Sequence, residues 1–202
     1  MPSILYLHGF LSSPLSAKVD MLRRAADGLA EVIAPDLNLP PLEADALIRE
    51  TLASMDDPVA VVGSSLGGFY AARAATAFGL RGVLLNPCLT PWTFAAQQTG
   101  LRQIWGTKRT VEVKASFADD FRVLARAHSP DCVSPDKTLV VLTTGDEVLP
   151  WRDAAKAYAR ARQYIVPGSD HRISDFADVV PRVLDFALSG TVNTNESVSK
   201  RV

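Results

Sequence analysis

Residues 59–78 read VAVVGSSLGGFYAARAATAF. An apolar run stops at Gly63, two serines follow, and beyond Gly67-Gly68 the chain takes on an alanine-rich helical pattern. A buried strand is thus joined to a helix by a turn of only a few residues. The rest of the chain repeats this alternation. Short apolar runs at 4–7, 32–34, 83–85, 139–143 and 164–166 are separated by helical spacings at 16–29, 42–55, 68–78, 152–162 and 176–188. Strand-helix repetition implies right-handed crossovers and an α/β fold, with about six mostly parallel strands and helices on both faces. The runs are apolar throughout rather than alternating, as strands covered on both faces must be.

One interval breaks the rhythm. Between Pro87 and Pro135 no convincing strand is visible. Thr90-Pro91 fits an N-cap followed by proline at the first helical position. Ser116 to Asp119 fits a capping box. Residues 90–135 are therefore expected to form a helical cap inserted into a single domain spanning 1–188. The polar segment 189–202 has no apolar periodicity and is expected to be disordered.

Composition narrows the partners. With 48% apolar and 21% charged residues and a net charge of −1, the chain is a globular domain with no basic stripe. Nucleic acid and anionic membrane are excluded as natural partners. No apolar run reaches the roughly 18 residues that a membrane span needs. The first strand begins at Ser3, which leaves no room for a cleavable leader, so the expected location is cytoplasmic. Cys88 and Cys132 are far apart and belong to no CxxC pair, which makes them reduced thiols rather than a disulfide or zinc site. No cluster of His, Asp and Glu has metal-ligand spacing.

Gly63-Ser64-Ser65-Leu66-Gly67 fits G-x-S-x-G. A strand that reverses into a helix so sharply holds its middle serine in a strained conformation, and the residues two before and two after crowd the neighbouring backbone. Ser65 is the candidate nucleophile. A phosphate cradle is the competing reading of a glycine-rich joint, but no Lys-Ser/Thr follows and no G-x-G-x-x-G is present. A serine needs a base, and the base an orienting acid. Of three histidines, His171 follows the last strand, where parallel-sheet topology brings it to the same edge as Ser65. Asp146 follows the strand between them in chain order, giving the order Ser, Asp, His. Glu147 and Asp170 are rival acids nearby.

The N–H of Leu66, next after the nucleophile, supplies one oxyanion donor, and the N–H of Phe10, in the loop after the first strand, the other. His8 is then a structural or pocket residue rather than the base, and with Gly9 of the same loop it is a candidate for substrate binding. Trp92, Phe94, Trp105 and Phe117 fall in the insertion, either as an acyl pocket or as cap packing. Arg152 and Arg172 flank the candidate site and suit either an anionic substrate or a solvated surface. Lys108-Arg109 reads as an exposed turn.

The segments YLHGFLSSPLSAK, VGSSLGGFYA, the Asn-Pro pair after the next strand, TTGDEVLPWRDA and the late Gly-x-x-His resemble the small esterases of the YqiA/YcfP type in the α/β-hydrolase superfamily. The resemblance runs from residue 4 to 188. It implies a cofactor-free serine esterase with a shortened sheet, whose nucleophile falls on Ser65, acid on Asp146 and base on His171. The implied substrate is a small-molecule ester. Serine at 65 argues against dehalogenase or epoxide-hydrolase chemistry, which places aspartate there. An acyl thioesterase is the close alternative, and a non-catalytic ligand-binding protein on a hydrolase scaffold is the alternative of a different class. Oligomeric state is left open.

Overall fold

The computed structural model describes residues 1–191 of the 202. The expected disordered tail lies, from residue 192 on, outside the described residues. Ser189 closes the last helix and Gly190 caps it with φ 73°.

Six strands form one parallel sheet in the order β2-β1-β3-β4-β7-β8: β1 (Ser3–Leu7), β2 (Glu31–Ile33), β3 (Pro58–Ser64), β4 (Arg81–Leu85), β7 (Thr138–Thr143) and β8 (Arg162–Val166). Successive side chains along a strand point to opposite faces. Ile4 and Tyr6 join Val62, Val83 and Val141 under α1 (Ala17–Ala25) and α7 (Phe176–Ser189). Leu5 and Leu7 join Val61, Leu84 and Val140 under α2 (Pro41–Ser54), α3 (Leu66–Phe78) and α6 (Trp151–Ala157). Both faces are covered, which is why the strands carry no polar alternation.

The strand order reverses between β1 and β3. The first crossover runs outward to β2, and all later ones run the other way. The loops leaving the carboxyl ends of β1 and β3 therefore part at this point and leave a crevice, the usual ligand position in an open parallel sheet. Register places Leu7 beside Gly63 and Ser64 beside Leu85, so these ends are level.

The interval after β4 differs from the all-helical expectation. It holds α4 (Pro91–Gln97), an antiparallel hairpin of β5 (Gly100–Gln103) and β6 (Thr110–Val113), and α5 (Phe117–Arg126). The hairpin strands have four residues each and are largely exposed, so they show no apolar run. Thr-Val-Glu-Val, alternating and β-branched, is the signal that could have found them. The expected capping box does not form either: Ser116 is itself helical (φ −61°, ψ −21°) and its side chain caps nothing. The hairpin is anchored at its turn. The Trp105 N–H donates to the Leu11 carbonyl at 2.8 Å, and Arg109 pairs with Asp36 at 2.7 Å. Arg109 is therefore a tether between the insertion and the loop after β2, not only an exposed turn.

A buried arginine ties α5 to the body. The Arg73 guanidinium donates to the Leu124 carbonyl and pairs with Asp45 at 3.3 Å. Near it, His128 has a buried Nε2 with no partner among the described residues. Burial, with the Arg73 charge adding to it, pulls this imidazole down to about 4. Folding thus excludes a proton that the unfolded chain binds near 6.5. The contribution is fully present above about pH 6.5 and is lost as pH falls toward 4. The urea midpoint of the wild type is expected to fall more between pH 7 and pH 4.5 than that of His128→Gln, and equal falls would assign the loss to other groups. Among the described residues, no helix is long and apolar enough to cross a membrane.

Candidate active site

Ser65 stands where β3 becomes α3, with φ 56° and ψ −118°. Such a conformation costs an L-residue on the order of 1–3 kcal/mol and persists only when its surroundings enforce it. Here the Ser65 N–H donates to Leu85 O at 2.9 Å, and its carbonyl accepts from the Gly68 and Cys88 amides at 2.9 and 3.0 Å. The flanking glycines follow from the backbone approach. A Cβ on Gly63 would lie 2.1 Å from the Gly67 oxygen, and one on Gly67 would lie 1.9 Å from Leu7 O. Even alanine has no room against rigid main chain at either position. Gly67→Ala is expected to destabilise the protein by about 3–5 kcal/mol, at the upper end for an overpacked interior, as read from the shift in urea midpoint. A loss below about 1 kcal/mol would mean that the elbow can move off β1.

His171 lies in the loop after β8. Its Nε2 is 3.0 Å from Ser65 Oγ and its Nδ1 is 2.8 Å from Asp146 Oδ2. The second Asp146 oxygen accepts the N–H groups of Val148 and Leu149 at 2.9 and 2.8 Å. Its side chain is 1% exposed. The carboxylate is thus fixed by two amides and has one oxygen left, aimed at the imidazole. Since Asp146 can only accept when ionised, Nδ1 carries the proton and Nε2 faces the serine as an acceptor.

The rival acids are placed elsewhere. Glu147 accepts the backbone N–H of His171 at 2.9 Å. The Asp170 carboxylate takes the Ser174 N–H at 2.8 Å and its hydroxyl at 2.7 Å. Two further groups hold the loops. Asn86 donates to the Thr143 hydroxyl at 2.8 Å and to the His171 carbonyl at 3.2 Å, and Gly145 N–H donates to Ser169 O at 3.1 Å. Asn86, itself at φ 43°, and Glu147 are positioning residues to which the sequence reading gave no such role. The Asn-Pro pair at the end of β4 was the visible signal for the first.

The loop after β1 passes against the elbow. A Cβ on Gly9 would be 3.3 Å from both Ser64 O and Ser65 Cβ. Leu11 takes φ 55°, and the Ser12 N–H closes back on Gly9 O at 3.1 Å. The amides of Phe10 and Leu66 donate to no acceptor among the described residues. His8 and Gly9 both line the cavity over Ser65. The His8 Nε2 accepts the Leu37 N–H at 2.9 Å, its Nδ1 is 2.9 Å from Gly9 O, and the ring is buried, which lowers its pKa despite Asp36. A neutral ring with both nitrogens engaged has no polar atom left for a substrate. It pins the loop after β1 to the loop after β2.

A cavity of about 810 Å³ opens over Ser65 and His171. Phe10, Leu66, Phe94, Ala95, Phe121 and Leu149 give it an apolar lining. Phe10 and Phe94 meet edge to face at 5.1 Å. Of the insertion aromatics, Phe94 and Trp105 line the cavity, whereas Phe117 belongs to the core and Trp92 packs against it. Arg172 lines the cavity too, but Arg152 stacks on Trp151 at 4.6 Å outside it.

The family model for UPF0227, described as an uncharacterised protein family, matches residues 3–188. The chain belongs to this family. A UPF0227 protein of Shewanella sp. (strain MR-4) is 27% identical over 193 residues, which span 92% of this chain and 99% of that one. Among solved structures, Est1E from Butyrivibrio proteoclasticus superposes with a TM-score of 0.68 at 16% identity, over 94% of this chain and 88% of that one. Mouse alpha/beta hydrolase domain-containing protein 10 gives 0.68 at 17%, over 91% and 88%. The esterase domain of a Rhodothermus marinus protein gives 0.65 at 22%, over 90% and 84%. At such identities the likeness establishes the fold, which is that of the α/β-hydrolases. This UPF0227 chain has that sheet in a six-stranded, wholly parallel form. Fold alone does not fix a reaction, so the function must be argued from the site.

Proposed function

We propose that this UPF0227 protein is a serine hydrolase that cleaves carboxylic esters through an acyl-enzyme. The observation that carries this reading is the single imidazole bridging Ser65 Oγ and a buried, amide-fixed carboxylate. In the proposed reaction, Ser65 Oγ attacks the ester carbonyl carbon and its proton passes to His171 Nε2. Asp146 stays ionised, holds Nδ1–H and stabilises the imidazolium. The amides of Phe10 and Leu66 are free to take the oxyanion, where each such donor supplies about 3 kcal/mol of barrier lowering. The N-terminus of α3 is aimed at the same place. Collapse of the tetrahedral adduct breaks the ester C–O bond, and His171 returns its proton to the departing alcohol. Water then attacks the acyl-enzyme, gives its proton to His171, and the second collapse frees the acid and restores Ser65.

The lining of Phe10, Phe94 and Phe121 supports an apolar acyl group. The same steps serve a thioester, so the acyl thioesterase alternative is separated by rate rather than by geometry. The test is hydrolysis of p-nitrophenyl esters from acetate to palmitate and of the matching acyl thioesters, with Ser65→Ala as blank, alongside labelling by a fluorophosphonate. Turnover above the blank and labelling of Ser65 are expected. A wild type that neither labels nor exceeds the blank would leave the binding-protein reading in its place.

A further inference from the structure

The cavity lining contains two cations that the proposed chemistry does not use. Lys18, at the start of α1, and Arg172, the residue after His171, both line the cavity over Ser65. They are linked, because the Lys18 ammonium donates to the Arg172 carbonyl. The Arg172 guanidinium lies over the Trp105 ring at 5.6 Å, and Trp105, 66% exposed, comes from the hairpin turn at the cavity mouth. Among the described residues neither cation has a carboxylate within ion-pairing distance. Asp170 acts on Lys18 only at longer range, and its carboxylate is already taken by Ser174. Glu147 is the one acid in the cavity lining, and it is engaged by the His171 amide.

A partly desolvated ammonium with no carboxylate partner is costly to keep. Burial, reinforced by the Arg172 charge and opposed by Asp170, brings Lys18 down to about 8. An anion in the cavity removes that cost. Position says which half of the substrate bears it. A base that later protonates the leaving group must have that group beside its Nε2. Arg172 follows His171 directly, and Lys18 holds the Arg172 carbonyl, so both cations are tied to the loop that carries the imidazole. The aromatic wall is left for the acyl half.

We infer that Lys18 and Arg172 form a subsite for an oxyanion, a carboxylate or a phosphate, carried by the alcohol or thiol half of the substrate. The inference rests on the ester-hydrolase reading for the direction of the leaving group. A planar guanidinium over an aromatic ring and a compact ammonium beside it suit such a group, since the first offers paired donors and the second a mobile point charge.

The test compares three butanoate esters: 4-carboxyphenyl, 4-(phosphonomethyl)phenyl and the uncharged 4-carbamoylphenyl. Each kcat/KM is corrected by the ester's own hydroxide-catalysed rate. The wild type is expected to prefer at least one anionic ester by tenfold or more over the carbamoyl ester, and the larger of the two preferences assigns carboxylate or phosphate. Lys18→Met and Arg172→Met are each expected to lower that anionic-to-neutral ratio about tenfold. Calorimetric binding of the same esters to Ser65→Ala, with and without the second substitution, reads the subsite independently of turnover. A binding preference for the anion that both substitutions remove sustains the subsite even if the wild type hydrolyses nothing, a result that would count only against the ester-hydrolase reading. Equal binding of the three esters, or an anionic preference that survives both substitutions, overturns the subsite.

Discussion

Ser65→Ala is expected to lower kcat for any hydrolysed ester by on the order of 10⁶-fold, the loss that removal of a nucleophile carries when a triad acts as a unit. The fold should survive, because what holds position 65 is main chain: the Leu85 carbonyl and the amides of Gly68 and Cys88. Among the described residues, the Ser65 hydroxyl has only the imidazole as its hydrogen-bond partner. The measurement is steady-state rate together with the urea midpoint of the same sample. An unchanged midpoint with rate reduced to the oxyanion-hole remnant, about 10³–10⁴ above water, is the expected pair of results. A variant that keeps a tenth of the rate would remove Ser65 from the nucleophile's place.

Much of this geometry was legible in the residues, for identifiable reasons. G-x-S-x-G is a steric statement: Gly63 and Gly67 are read correctly because their missing Cβ atoms would strike backbone, and backbone contacts at a strand-helix joint vary little. The meeting of Ser65, Asp146 and His171 follows from topology, because every loop leaving a parallel strand's carboxyl end arrives at the same edge. What escaped was whatever depends on contact between segments remote in sequence. The β5-β6 hairpin has too little buried surface to leave an apolar pattern, and it is held by Trp105 to Leu11 and Arg109 to Asp36. Helix limits shifted for a related reason. The spacing over 152–162 reads as one helix, yet α6 ends at Ala157 and Arg162 begins β8, because pairing with Leu139 claims it for the sheet. His8, read as a structural or pocket residue, does line the cavity, but its hydrogen-bond partner is remote in sequence. Only the structure places the Leu37 amide against its free nitrogen.

The choice among three acids is the sharpest test of that topology. Asp146→Asn is expected to reduce kcat by about 10⁴-fold, the cost of an amide that holds imidazole in the wrong tautomer. The asparagine nitrogen would face Nδ1 as a donor and drive the proton to Nε2, where it blocks uptake from Ser65. Glu147→Gln should cost far less, since an amide oxygen can still accept the His171 N–H. Asp170→Asn should leave the rate on a neutral ester nearly intact, because its carboxylate serves Ser174 and not the ring. If Asp170→Asn proved the more damaging, the pairing of His171 with Asp146 would be a resting arrangement that the reacting enzyme abandons.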